Sequence, residues 1–270
     1  MTPADTANLA EESSIATPLG RLHACRWAVH GAHRPQPPIV LLHDSLGSVD
    51  LWRSFPQALA ARTGRDVVAY DRLGFGRSDP HPGRLALDFV QQEAQGDFAA
   101  VLAHFGIDRF VAFGHSVGGG MALCIGAAYP ARCRAVVVES AQAFAETLTL
   151  DGVRAAKASF AEPGQVERLG RYHGEKAPWV LAAWTETWLA PAFAGWSLDA
   201  ELQRLRQPTL VLRGGKDEFG SAAHAERIAA QTAGEVTVRE FASAGHVPHK
   251  DAAEGVLDAV VDFLRTVDPT

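Results

Sequence analysis

Short, wholly apolar and partly β-branched runs alternate along most of this chain with longer segments of helical periodicity. Ile39-Val40-Leu41-Leu42 is the first run; others lie at residues 66–70, 110–113, 135–138 and 209–212, with a last strand predicted over 236–241. Runs of this length without polar alternation suit strands covered on both faces. Between them, apolar residues recur at helical spacing over residues 52–61, 89–105, 117–129, 222–230 and 252–267. Strand alternating with helix predicts the α/β class, a mostly parallel central sheet flanked by helices. Strand-like pieces around Pro18-Leu19-Gly20 predict an opening β-hairpin. Residues 1–12 read as a loose polar lead-in, and a proline-rich stretch from Pro35 to Pro38 enters the first core strand.

One interval breaks the rhythm. Residues 142–205 show no strand signal, several helical stretches and four of the six tryptophans, Trp179, Trp184, Trp188 and Trp196. This predicts a helical cap inserted into a core formed by residues 1–141 and 206–270. Over the carboxyl edge of such a sheet, it would roof the crevice where ligands bind. Trp184 and Trp188 are four apart and share a helix face. They either pack the insertion onto the core or line an apolar substrate pocket.

Composition narrows the picture. With 270 residues and 47% apolar content, the chain can bury one large core. A net charge of −6, spread rather than blocked, leaves no electrostatic footprint for nucleic acid or anionic membrane. No stretch approaches the roughly 18 uninterrupted apolar residues of a membrane span. Cys25, Cys124 and Cys133 are odd in number and lack metal-ligand spacing, so they read as small buried hydrophobes in a reducing compartment. The first residues lack the basic and apolar runs of a signal peptide. The expectation is a soluble, cytoplasmic protein with a small-molecule substrate, no nucleic-acid or membrane partner, no cofactor and no metal. Oligomeric state stays open.

The sharpest motif is Gly114-His115-Ser116-Val117-Gly118, followed by Gly119 and Gly120. Alone, G-x-S-x-G is weak, arising by chance in about one chain in ten at this composition. Its setting adds weight, because a buried strand precedes it and a helix follows. Strand, sharp turn, helix lifts a serine hydroxyl above the sheet. The bland alternative is a helix N-cap serine.

A serine hydroxyl needs a base. His246, in the loop between the last strand and the last helix, lies at the same sheet edge as Ser116. His249 is the runner-up, expected to begin the final helix or face solvent, and His115 should point into the packing of the turn. The base needs a carboxylate to hold its tautomer. Asp217, beyond the apolar strand and Arg213-Gly214-Gly215-Lys216, is expected to supply it; Glu218 and Glu139 are the alternatives. The order Ser116, Asp217, His246 suits this architecture. An oxyanion hole is expected from the N–H groups of Val117 and, in the loop His43-Asp44-Ser45-Leu46-Gly47-Ser48, of Ser45. His43, Asp44, Trp184 and Trp188 are candidate substrate-binding residues.

These residues resemble the α/β-hydrolase superfamily over nearly the whole chain. Members commonly carry His-Gly after an early strand, where this chain reads His43-Asp44. The run Asp71-Arg72-Leu73-Gly74-Phe75-Gly76-Arg77-Ser78 resembles the family's structural D-x-x-G-x-G-x-S turn. Gly-His-Ser-Val-Gly-Gly is similar to the turn of esterases and lactonases. Ser116 disfavours the aspartate-nucleophile dehalogenases and epoxide hydrolases. Residues 42–52 resemble enol-lactone hydrolases, and the roof resembles the lid of carbon–carbon bond hydrolases in position. The resemblance implies a carboxylesterase-like hydrolase acting on an ester, lactone or thioester. Carbon–carbon bond hydrolysis of a diketone-like compound and a ligand-binding module with poor turnover are the competing readings.

Overall fold

The structure is a computed structural model and describes residues 10–29 and 36–268. The opening hairpin forms as β1 (Glu11–Thr17) and β2 (Gly20–Trp27), paired antiparallel from Glu11↔Arg26 to Thr17↔Gly20. Glu11 and Glu12, expected in the lead-in, are therefore strand residues. The rest of that lead-in up to residue 9, and Pro35, lie outside the described residues. Then follow β3 (Ile39–Leu42), β4 (Val67–Tyr70), β5 (Phe110–His115), β6 (Cys133–Glu139), β7 (Thr209–Gly214) and β8 (Val236–Phe241). They form one eight-stranded sheet in the order β1-β2-β4-β3-β5-β6-β7-β8. β2 runs antiparallel to β4, and all pairings from β4 through β8 are parallel.

Both faces of the central strands β3 to β7 are buried, which explains their unbroken apolar runs. Phe110 and Ala112 of β5 join one core cluster, while Val111 and Phe113 join the other. From β3 the chain adds β4 on one side and β5 on the other. That reversal opens a crevice at the carboxyl ends of β3 and β5, where open α/β sheets bind ligands.

Three helices differ from the periodicity. The segment 52–61 resolves into a 3-10 turn, Val49–Trp52, and a helix, Phe55–Thr63. Arg53 at φ 55° breaks the first, and Pro56 suits only the opening turn of the second. The segment 89–105 splits into Phe89–Gln92 and Asp97–His104, because Gly96 leaves the helical conformation and Asp97 accepts a hydrogen bond from Leu73 N at 2.7 Å. The last helix, Ala253–Val267, follows a separate turn, Pro248–Asp251.

The glycine-rich turn after β4 is a scaffold. Asp71 accepts hydrogen bonds from Val49 N (2.7 Å), Arg77 N (2.9 Å) and His23 Nδ1 (2.9 Å). Gly76, at φ 46°, passes so close that a Cβ would sit 2.1 Å from the Asp71 carboxyl carbon. Asp71 thus anchors the end of the loop that leaves β3.

Residues 142–205 hold the helices Thr147–Phe160, Gln165–His173, Ala177–Trp188 and Asp199–Leu202, together with a single bridge, Phe144↔Ser197. Trp179 donates to the Gly83 carbonyl at 2.8 Å. All three cysteines are buried. No helix among the described residues is long and apolar enough to cross a membrane.

Candidate active site

Ser116 sits between β5 and the helix Val117–Ala128 with φ 57° and ψ −123°. A non-glycine residue pays for that conformation only where its surroundings fix it. Here the Ser116 N–H donates to the Glu139 carbonyl at 2.8 Å, and the Ser116 carbonyl accepts from Gly119 N at 2.9 Å. The flanking glycines are required by space: a Cβ on Gly114 would meet the Gly118 carbonyl oxygen at 1.9 Å, and one on Gly118 the Leu42 carbonyl oxygen at 2.2 Å. The turn is therefore clamped against the carboxyl end of β3.

Ser116, His246 and Asp217 come together. His246 Nε2 lies 3.0 Å from Ser116 Oγ, and His246 Nδ1 lies 2.8 Å from Asp217 Oδ1. Burial raises the Asp217 pKa, but the His246 hydrogen bond and charge and the Phe219 N–H prevail and hold it below the usual carboxylate value. An ionised Asp217 accepts, so Nδ1 carries the proton and Nε2 is free to take one from the serine.

The backbone groups expected at an oxyanion hole belong to Ser45, in the loop after β3, and Val117. In the loop after β3, Leu46 N donates to Asp44 Oδ1 and Gly47 N to the Asp44 carbonyl. Among the described residues, neither Ser45 N nor Val117 N donates a hydrogen bond. A cavity of about 220 Å³ opens in front of Ser116, lined by Asp44, Ser45, Gln142, Trp184, Trp188 and Phe219 among others. Trp188, 2% exposed, also packs on Phe193 and Trp196, whereas Trp184 is half-buried against Phe219.

His43 departs from its expected place. It is buried, it does not line the cavity before Ser116, and its Nε2 accepts from Arg72 N at 3.2 Å while Nδ1 donates to the Asp44 carbonyl at 2.8 Å. Burial, then the Arg72 charge, lowers its pKa to about 3, so it shapes the loop as a neutral ring. His249 does not face solvent. Its backbone N–H and its Nδ1 both bond to the fully buried Glu139.

Sequence reasoning missed Gln142 and the partners of His115. Gln142 Oε1 lies 3.2 Å from Ser116 Oγ. One hydroxyl proton cannot serve both Gln142 and His246. With its NH2 turned to Ser116, Gln142 donates to the oxygen and leaves the proton for His246. Two groups of side chains, His115/Glu139/His249 and Glu12/His23/Cys25, place potential metal-ligating atoms within 4.8 Å of one another. Sequence spacing did not reveal the first because its members come from three elements. Within it, Glu139 takes the His249 N–H and Nδ1, and His115 Nε2 is held by the His246 carbonyl.

A family model described as alpha/beta hydrolase fold matches residues 37–199. The chain belongs to this family. Among curated relatives of this α/β-hydrolase, the 1-acylglycerol-3-phosphate O-acyltransferase ABHD5 of Homo sapiens is 30% identical over 126 residues, 44% of this chain and 34% of that protein. The chain thus spans about a third of the length of that relative. The dihydrolipoyllysine-residue acetyltransferase component of the acetoin cleaving system of Pseudomonas putida is 30% identical over 269 residues, 91% of this chain and 67% of that protein. The enol-lactonase of Burkholderia xenovorans LB400 superposes with a TM-score of 0.71 at 21% identity, covering 93% of this chain and 99% of that one. That likeness speaks to the fold.

Proposed function

We propose that this α/β-hydrolase is a serine hydrolase that cleaves a small, largely apolar carboxylic ester, lactone or thioester through an acyl-enzyme on Ser116. The observation that carries the reading is the unbroken path from Asp217 through His246 to Ser116 Oγ, at 2.8 and 3.0 Å, facing a cavity with apolar walls. Ser116 Oγ attacks the carbonyl carbon as its proton passes to His246 Nε2. The oxyanion forms opposite the Ser45 and Val117 N–H groups. Collapse breaks the bond to the leaving oxygen or sulfur, which takes the proton from His246. Water, deprotonated by His246, then attacks the acyl-enzyme and releases the acid.

In this reading residues 142–205 are a cap whose Trp184 and Trp188 line the acyl site, and the setting is cytoplasmic. A cavity of about 220 Å³ falls below the roughly 300–1,000 Å³ of drug-sized pockets, which favours a short acyl group. No lysine or arginine lines it among the described residues, which disfavours the carbon–carbon reading, since no permanently cationic side chain faces a developing enolate.

The names of the matched acyltransferases favour a second reading, transfer of the same acyl group to an alcohol or thiol. The test is intact mass and peptide mapping after exposure to a fluorophosphonate, with Ser116→Ala and His246→Ala as controls. One adduct on Ser116, lost in both controls, supports the mechanism. Turnover of a short-chain ester that survives Ser116→Ala overturns it. Product ratios with added alcohol separate hydrolysis from transfer.

A further inference from the structure

We propose that His115 is a positioning residue that donates from both ring nitrogens and so ties together the loops bearing Ser45 and His246 on either side of Ser116. The inference rests on Ser116 being the nucleophile.

His115 Nε2 lies 2.8 Å from the carbonyl oxygen of His246. A carbonyl only accepts, so Nε2 carries a proton. His115 Nδ1 lies 3.5 Å from Asp44 Oδ2. Burial raises the Asp44 pKa, but its contact with the His115 ring and the charge of His115 outweigh it and keep it ionised. An ionised carboxylate at this ion-pair distance favours a second proton on the ring, at Nδ1. The ring is then an imidazolium, although His115 is only 2% exposed.

The surroundings favour that charge. Glu139 stands opposite His115 in the β5–β6 register and is itself held ionised, with burial opposed by His249 and by His115. The rings of His246 and His249 lie 5.2 and 5.3 Å away, and Trp52 closes the remaining side edge-on at 6.3 Å. Burial alone would lower the His115 pKa. The Asp44 hydrogen bond and the charges of Glu139 and Asp44 raise it to about 9.

The consequence is mechanical and electrostatic. β5 fixes His115 beside Ser116. One N–H holds Asp44, the neighbour of Ser45, and the other holds the backbone of His246, whose ring must meet the serine. The pairing also accounts for an acid at position 44 where the family carries glycine. Unpaired, the Asp44 carboxylate would oppose a nearby oxyanion.

15N NMR of histidine-labelled protein, complete chain and no substrate, reads the ring directly. Both His115 nitrogens should be protonated at pH 7.5 and titrate near pH 9; a neutral ring at pH 7.5 overturns the proposal. In activity on a short-chain p-nitrophenyl ester, His115→Gln should lower kcat about 30-fold while KM moves less than about threefold, since misplacement of reacting groups costs rate rather than binding. It should also abolish the alkaline limb of the pH profile. His115→Gln combined with Asp44→Asn should be faster than His115→Gln alone, because the uncompensated carboxylate is gone. An unchanged alkaline limb, or purely additive losses, overturns the proposal. If His115→Gln does not fold, Asp44→Asn alone should move the titration of His115 to lower pH in the NMR measurement, and no movement overturns it. A wild type that takes no fluorophosphonate on Ser116 would instead sink the hydrolase reading, and the NMR result is independent of it.

Discussion

His246 and Asp217 meet through one carboxylate oxygen: Asp217 Oδ1 takes the imidazole Nδ1–H at 2.8 Å and also the N–H groups of Phe219 at 2.8 Å and Gly220 at 3.0 Å. The two backbone donors aim the carboxylate from the end of β7, so the ring of His246 inherits its orientation from the sheet. Asp217→Asn keeps the shape but can present an NH2 to Nδ1, selecting the wrong tautomer. The expected loss in kcat is about 10³–10⁴-fold with intact folding. Steady-state kinetics with circular dichroism checks it, and a loss under tenfold would remove Asp217 from the mechanism.

The parts of this arrangement that were readable in the sequence are those encoded locally. Ile39–Leu42 announces a doubly covered strand, Gly114 to Gly118 announces a sharp turn, and the loops carrying Asp217 and His246 follow strands directly. Alternation of strand and helix then places these loops on one edge of the sheet. What was hidden depends on lateral order. Glu139 faces His115 only because β5 pairs with β6 in a particular register, and Asp44 reaches His115 only because β3 lies beside β5. Gln142 follows β6 with no periodic signal of its own. The break at Gly96 was masked by apolar residues that continue at helical spacing on both sides of it.

Gly118 tests the clamp between the turn and β3. A Cβ there would approach the carbonyl oxygens of Leu42 at 2.2 Å and His43 at 2.6 Å, both backbone atoms that a rotamer change cannot move. Gly118→Ala should cost at least about 2 kcal/mol. In thermal unfolding this corresponds to a fall in Tm of about 5 °C for a chain of this size. An unchanged Tm would mean that the loop after β3 yields easily.

Trp184 and Trp188 share a helix face and the same cavity, yet their burdens differ. Trp188 is 2% exposed and holds Phe193 and Trp196, so Trp188→Ala should destabilise by about 3–5 kcal/mol. Trp184 is only half-buried, and Trp184→Ala should chiefly raise KM, by roughly tenfold or about 1.4 kcal/mol of binding. Urea unfolding and ester kinetics on both variants distinguish the two roles. Equal destabilisation by both would assign Trp184 to packing alone.

Glu93 supplies a pH-dependent prediction remote from Ser116. Its carboxyl accepts the Tyr70 hydroxyl proton in a buried site. Burial, then the charge of Asp97, raises its pKa from 4.5 to about 7, with Arg72 and the Tyr70 hydrogen bond pulling the other way. Between those two values the folded state holds a proton that the unfolded state has released. Stability therefore falls as pH rises through this window and levels off above it. Glu93→Gln keeps an acceptor for Tyr70 and removes the titration. Wild type and variant should differ little in their response below about pH 3.5, and the variant should gain relative to wild type up to about pH 8, by at most about 3 kcal/mol. The difference between their urea-unfolding free energies, measured at unit steps of pH, isolates this group from every other titration. A flat difference would place the Glu93 carboxyl in a better solvated site, with its charge already balanced by Arg72.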